Sequence, residues 1–359
     1  MIAYVINPGS TSTKLALATI TPSTNPALPT QLGVHLERRE VSHPDLSGNT
    51  CDHLPFLQSE IQKAIVSWPT PSAVVGRGGL LGPMGAGTYS VTQELAEFAL
   101  SAFFGKHASN LGAALALQVA QNFDVPAYIV DPPTVDELVP EARIAGFGDI
   151  QRQSRFHALN ARAVGRKAAH LVGRRFQDST IVVAHLGGGS SVSCFVKGRA
   201  VDTTGALLDE GPFSPQRAGT LPISALLNLA YDPNVSRDEL ELRLTKEGGF
   251  KSLLGTANLK EIQSLEESDS HVKEVVAAYA HQVVKCIGSY SVVDGRPDVI
   301  ALTGGVARWS DLMDRIEERI SWIAPVVIFP GELELEALAE GAGRVLLGLE
   351  EAKVWKRPH

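Results

Sequence analysis

One short pattern occurs twice in this chain and limits its fold more than anything else. Residues 2–6 are an apolar run, followed by Asn7-Pro8-Gly9-Ser10-Thr11-Ser12-Thr13 and a second run over 14–18. Residues 181–186 are again an apolar run, followed by Gly187-Gly188-Gly189-Ser190-Ser191 and a second run over 192–196. Each copy reads as strand, Gly/Ser turn, strand. The copies lie about half the chain apart, which implies an internal duplication: two related α/β domains, each opening with a hairpin. A length of 359 residues fits two domains.

The remaining segments fill in that plan. Leu54, Leu57, Ile61, Ile65 and Trp68 recur at helical spacing until Pro69 and Pro71. Residues 73–75 predict a short buried strand running into Gly76-Arg77-Gly78-Gly79, and helical patterns follow over 91–104 and 109–122. A strand is expected at 127–130 and a long helix over 157–175. Residues 21–30, with three prolines, read as a surface loop, and Glu37-Arg38-Arg39-Glu40 as a solvated strand or loop edge. A Lys197-Gly198 turn leads to 199–202. Beyond 220 the pattern is mostly helical, with a charged loop over 261–273, strands at 298–302 and 326–329, and a final helix over 332–350. Gly341 and Gly343 in that helix read as points of close packing.

Composition excludes several classes. The net charge is −7 and no Lys/Arg stripe occurs, so nucleic acid and anionic membranes are poor partners. Cys51, Cys194 and Cys286 are far apart and form no CxxC pair, which removes support for zinc and for thioredoxin-like chemistry. So sparse a set fits a reducing cytoplasm. No signal peptide is expected from the opening residues, and no apolar stretch approaches a membrane span.

Three turns can present converging backbone N–H groups to an anion: 7–14, 185–191 and 303–308. Each follows an apolar strand. Any one alone could be a plain hairpin turn; together they point to a nucleotide cleft between domains. GxxxxGK[ST], GxGxxG and protein-kinase signatures are all missing. Phosphoryl transfer needs cations facing the equatorial oxygens and a carboxylate for Mg²⁺. Lys14 supplies a point charge beyond the first turn, and Asn7 could hold a metal-bound water. Arg77 sits among glycines, placed for a carboxylate or phosphate, unless it is a surface Arg. Asp131 ends a strand, as a functional carboxylate or as an N-cap. Arg217 lies in the Gly/Pro-dense loop 211–219. His157 opens a helix, as a catalytic group or as an ordinary satisfied polar residue.

In order along almost the whole chain, VINPGSTSTKLA (5–16), VVGRGGLL (74–81), GKHASNLGA (105–113), YIVDPPTVDEL (128–138), SRFHALNARAV (154–164), VVAHLGGGSSVS (182–193), VDTTGALLDEGPFSP (201–215) and VIALTGGVAR (299–308) resemble the butyrate kinase branch of the acetate kinase family, in the actin/sugar-kinase/Hsp70-like superfamily. The resemblance implies two duplicated ribonuclease-H-like (actin-like ATPase) domains, 1–153 and 154–335, with residues 336–359 packing back on the first and ATP·Mg²⁺ in the interdomain cleft. The implied reaction is ATP + butanoate (or a branched short-chain fatty acid) = ADP + butanoyl phosphate, by in-line transfer. The alternatives are an acetate or propionate kinase, or a non-catalytic ATP-binding scaffold. By analogy, a homo-oligomer is also expected.

Roles follow from the same resemblance. Asn7 resembles the family's Mg²⁺-site Asn and Lys14 its ATP-phosphate Lys, with Ser10 and Ser12 in the same turn. Asp131 matches the Asp of FDTAFH, His157 the first His of FHGTSH, and Arg217 the Arg of GTRSG. His185, Gly187, Gly188 and Gly189 match HLGNG, with Ser190 next. Gly304 and Gly305 open the stretch that matches GIGEN, although here it continues as Val-Ala-Arg-Trp. Arg77 occupies the position of the His in VHGG and is assigned to the acid's carboxylate. The Mg²⁺-linked Glu of TDEEL aligns with Glu334, and Glu332 is one slip away.

Overall fold

The computed structural model describes residues 1–25, 32–44 and 50–358; residues 26–30 of the expected surface loop fall outside it, as do the side chains of Thr50 and Cys51. The chain divides into two compact units. The first comprises Met1–Asp136, Ala158–Ala163 and Leu333–His359, and the second Glu137–His157 and Val164–Glu332. The sequence reading places its boundaries at 153/154 and 335/336; the units divide at 136/137 and 332/333, with 158–163 also in the first.

The strands in chain order are β1 (Ile2–Pro8), β2 (Ser12–Thr21), β3 (Gly33–Ser42), β4 (Ala73–Arg77), β5 (Thr88–Ser90), β6 (Ala127–Val130), β7 (Thr180–Leu186), β8 (Ser190–Val196), β9 (Arg199–Thr203), β10 (Val299–Gly304), β11 (Val326–Pro330) and β12 (Lys353–Val354). Among the described residues they form a seven-stranded sheet, β12-β5-β6-β4-β1-β2-β3, and a five-stranded sheet, β11-β10-β7-β8-β9. The duplication is visible in the pairing. β1, β2 and β3 run antiparallel, with β4 parallel to β1 and β6 parallel to β4. β7, β8 and β9 repeat that meander, with β10 parallel to β7 and β11 parallel to β10.

The central strands are apolar throughout because helices cover both faces of the sheet. In β1, Tyr4 and Ile6 face a core with Leu57, Ile61, Leu95 and Leu115. Ala3 and Val5 face the opposite core, with Leu335, Leu338 and Ala342 of the final helix Glu334–Leu346. In the second unit, Val182, Ala184, Ile300 and Leu302 pack with Val276, Tyr279 and Val283 of the helix Ser270–Tyr290 and with Leu312 and Ile316 of Ser310–Ile320.

Several expectations need correction. The charged loop over 261–273 is instead the helix Leu259–Glu266 followed directly by Ser270–Tyr290. Asn258 and Asp269 cap the two helices by accepting from Lys260 N and from His271 N and Val272 N. The helix expected over 91–104 ends at Leu100, where Ala102 takes a φ of 52°. The helix expected over 157–175 is Ala158–Leu171. β11 is not the last strand, since β12 pairs with β5. Gly341 and Gly343 are close contacts: a β-carbon on Gly341 would collide with Val130, and one on Gly343 would stand 2.8 Å from Ile20 Cγ2.

Candidate active site

In the first unit the candidates collect at the carboxyl ends of the parallel strands, where α/β sheets bind ligands. Asn7 is at the end of β1, Arg77 at the end of β4, and Asp131 just after β6. Register places Lys14 opposite Asn7, on the exposed side of β2. The turn between β1 and β2 closes with Gly9 N donating to Ser12 O at 2.8 Å, and it carries Ser10 exposed and Ser12 half-buried. His43, buried, braces that turn: its Nε2 is 3.1 Å from Thr13 Oγ1 and its N–H donates to Thr11 O.

Glu334, the first residue of the final helix, joins Asn7 and Arg77. Its Oε2 accepts from Asn7 Nδ2 and from Arg77 Nη1, both at 2.8 Å. Arg77 Nη1 is also 3.5 Å from Asn7 Oδ1, while Arg77 Nε is buried without a hydrogen-bond partner. Two glycines let the strand and helix backbones meet here. A β-carbon on Gly76 would strike Gly112 O, and one on Gly112 would strike Arg77 O. Asp131, only 1% exposed, accepts from Gly87 N at 2.7 Å and stands 3.3 Å from Arg162 Nε. No helix begins at Asp131, so the N-cap alternative fails; its φ of 38° holds it in a conformation that non-glycine residues rarely adopt.

The second unit gathers the other candidates, also at strand ends. Gly187 N donates to Gly189 O at 3.0 Å, closing the turn between β7 and β8. Gly304 presses on that turn, since a β-carbon there would collide with Leu186 O. The N–H of Gly304 donates to Gly331 O and that of Gly331 to Gly304 O, both at 2.9 Å. A β-carbon on Gly305 would meet nothing within 4 Å, so the main chain is open there. Ser190 is buried at the start of β8.

Arg217 lies against the Gly187–Gly189 turn: a β-carbon on Gly189 would overlap its guanidinium. Its Nη1 donates to Ala206 O. Its loop is locked by Ser214 Oγ, which donates to Gly188 O at 2.6 Å and accepts from Arg217 N at 3.1 Å. Burial alone lowers the Arg217 pKa from its ordinary value, and no carboxylate among the described residues pairs with it. His157 precedes the helix Ala158–Leu171 without capping it. Its Nδ1 is 2.9 Å from Ser191 Oγ, and its ring stacks on His185 with centroids 3.8 Å apart and planes 10° apart. Glu332 Oε1 is 3.9 Å from His185 Nε2. Thus Glu334 stands with Asn7 and Arg77, and Glu332 with His185.

Asn7, Asp131 and Glu334 offer hard oxygen donors suited to Mg²⁺. Among the described residues no group of three His, Cys, Asp or Glu side chains could hold a metal ion. Thiolate chemistry is disfavoured: burial pushes Cys194 and Cys286 up to about 12. Asn160, Arg162, Ser191 and Ser214 escape the sequence reading. Arg162 carried one usable signal, a lone Arg in the small, apolar opening ALNARAVG of a helix.

Two ribonuclease-H-like domains, each with a glycine-bearing or polar turn at its strand ends, define the actin-like ATPase fold. Acetate kinase of Porphyromonas gingivalis superposes with a TM-score of 0.75 at 17% identity, covering 97% of this chain and 100% of that one. A propionate kinase from Francisella tularensis gives 0.73 at 18% identity, covering 94% and 98%. The acetokinase family model matches residues 140–319. A curated relative from Deinococcus radiodurans, described as a probable butyrate kinase, is 50% identical over 99% of this chain and 94% of its own length. The chain belongs to the acetokinase family, carboxylate kinases with ATP and ADP as substrates.

Proposed function

We propose that the chain transfers a phosphoryl group between ATP and butanoate or a branched short-chain fatty acid, giving ADP and the acyl phosphate. The observation that carries this reading is Arg217: a half-buried cation folded against a glycine turn, with no carboxylate beside it among the described residues. A partly desolvated charge without a counter-ion is costly, so the site favours an anionic ligand. A phosphoryl group in flight, with charge spread over three equatorial oxygens, is such a ligand.

The other residues take complementary parts. The N–H groups of 187–189 and 304–305, with Ser190, His185, Ser10, Ser12 and Lys14, hold the nucleotide. Arg77 binds the acid's carboxylate, with Nε as the donor left over from its pairing with Glu334. His157 donates to the moving phosphoryl group alongside Arg217. Asn7, Asp131 and Glu334 hold Mg²⁺, which when bound neutralises phosphate charge.

Preference for a four-carbon acid is supported by the 50% identical relative described as a probable butyrate kinase. One methylene in an apolar pocket changes discrimination by about 1–3 kcal/mol. Acyl-hydroxamate formation from acetate, propionate, butyrate, isobutyrate and valerate tests it: kcat/KM should peak at butyrate or isobutyrate, and a peak at acetate overturns it. Arg217→Ala should lower kcat by about 10³-fold or more with the fold retained; near-normal turnover removes its assigned role.

A homo-oligomer is part of the same proposal. The helix Ile223–Ala230 has no buried residue, and Ile223 and Leu227 are 76% and 51% exposed. Leu226, Leu229 and Tyr231 are exposed as well, and clustered exposed apolar side chains mark interaction surfaces. The next helix, Arg237–Lys246, carries Asp238 and Glu239 in its first turn and Arg243 and Lys246 in its last. Two copies packed antiparallel would set opposite charges together.

A further inference from the structure

Two side chains outside the proposed ligand set touch the segments that carry its carboxylates, and both come from the opening turns of one helix. We infer that Asn160 and Arg162 are positioning residues for the cation site, fixing Glu334 and Asp131; the inference rests on the function proposed above. Asn160 is 1% exposed, and its Oδ1 accepts from Leu333 N at 2.7 Å. Leu333 directly precedes Glu334, so this bond fixes the start of the final helix at the residue bearing the carboxylate. Arg162, 8% exposed, places Nε 3.3 Å from Asp131 Oδ1.

The spacing matters. Residues two apart on a helix lie on different faces, so a solvent-facing helix would bury at most one of them. Here both are buried polar groups: Asn160 reaches the residue before the final helix and Arg162 the residue after β6, all in the same unit. Neither caps the helix: His157 holds that place, with no side-chain cap bond.

The physical reason for such support is geometric. A cation held by few protein oxygens depends on those oxygens already pointing at it, and partners behind ligands typically contribute 10–100-fold in metal affinity. Asp131 sits at a φ of 38° that its own chain does not favour. Gly87 N and the guanidinium of Arg162 both meet its Oδ1 and so help to set the carboxylate's direction. Glu334 is already drawn to Asn7 and Arg77, and without Asn160 the helix start would be free to follow that pull.

The test is Mn²⁺ binding in the presence of ADP, followed by electron paramagnetic resonance, beside steady-state kinetics. Arg162→Met and Asn160→Ala should each weaken Mn²⁺ binding 10–100-fold and raise the KM for Mg²⁺ far more than the KM for the acid. Asn160→Asp, which keeps an acceptor for Leu333 N, should restore binding to within a few-fold of the parent. If Arg162→Met does not fold, the Asn160 pair decides. Unchanged Mn²⁺ affinity in folded variants, or Asn160→Asp no better than Asn160→Ala, overturns the inference alone. A parent protein that binds no Mn²⁺ with ADP overturns the proposed function as well.

Discussion

Gly304 adopts a φ of 98°, and the Leu186 carbonyl stands where a β-carbon would be. Alanine there meets both a disfavoured backbone and a collision, at a cost of about 1–3 kcal/mol for the backbone alone. Gly304→Ala is therefore expected to raise the KM for ATP several-fold while leaving the KM for the acid within twofold; varying each substrate in turn checks this. At this scale the sequence was legible wherever a residue stood at a strand end in a Gly-rich context, as Arg77, Asp131 and Gly304 do. Arg162 and Asn160 were not, because their partners Asp131 and Leu333 lie 31 and 173 positions away. The choice between Glu332 and Glu334 also needed coordinates: two residues apart, they join different constellations.

The element that organises the first candidate cluster is the final helix. Leu338 is fully buried between it and the sheet, so Leu338→Ala should destabilise the first unit by about 2–5 kcal/mol, seen as a lower urea midpoint by tryptophan fluorescence. Gly341→Val should do comparable damage, because its side chain would enter the space of Val130. The paired hairpins and the long amphipathic helices were readable from periodicity. β3 was harder because it alternates half-buried and exposed residues along the sheet edge, and β5 and β12 are too short to show a period. The helix Leu259–Glu266 buries only Ile262, so its charges read as a loop although Asn258 marks its start.

For the molecule as a whole, the prediction concerns association. Ile223→Glu combined with Leu227→Glu should shift the sedimentation coefficient towards the monomer without lowering the urea midpoint. An unchanged coefficient would exclude this helix from the contact. Among the described residues, no helix is long and apolar enough to cross a membrane. The two halves share the order of five core strands yet equip it differently. In the first, the strand ends carry Asn7, Arg77 and Asp131; in the second, Gly187, Gly304 and Gly331. Donors that are side chains can be exchanged by a single codon change, whereas donors that are peptide groups persist through almost any replacement the backbone tolerates. On the proposed assignment, the cation and carboxylate contacts of one repeat are thus open to single replacements, while the peptide part of the nucleotide grip in its sibling is inherited with the fold itself.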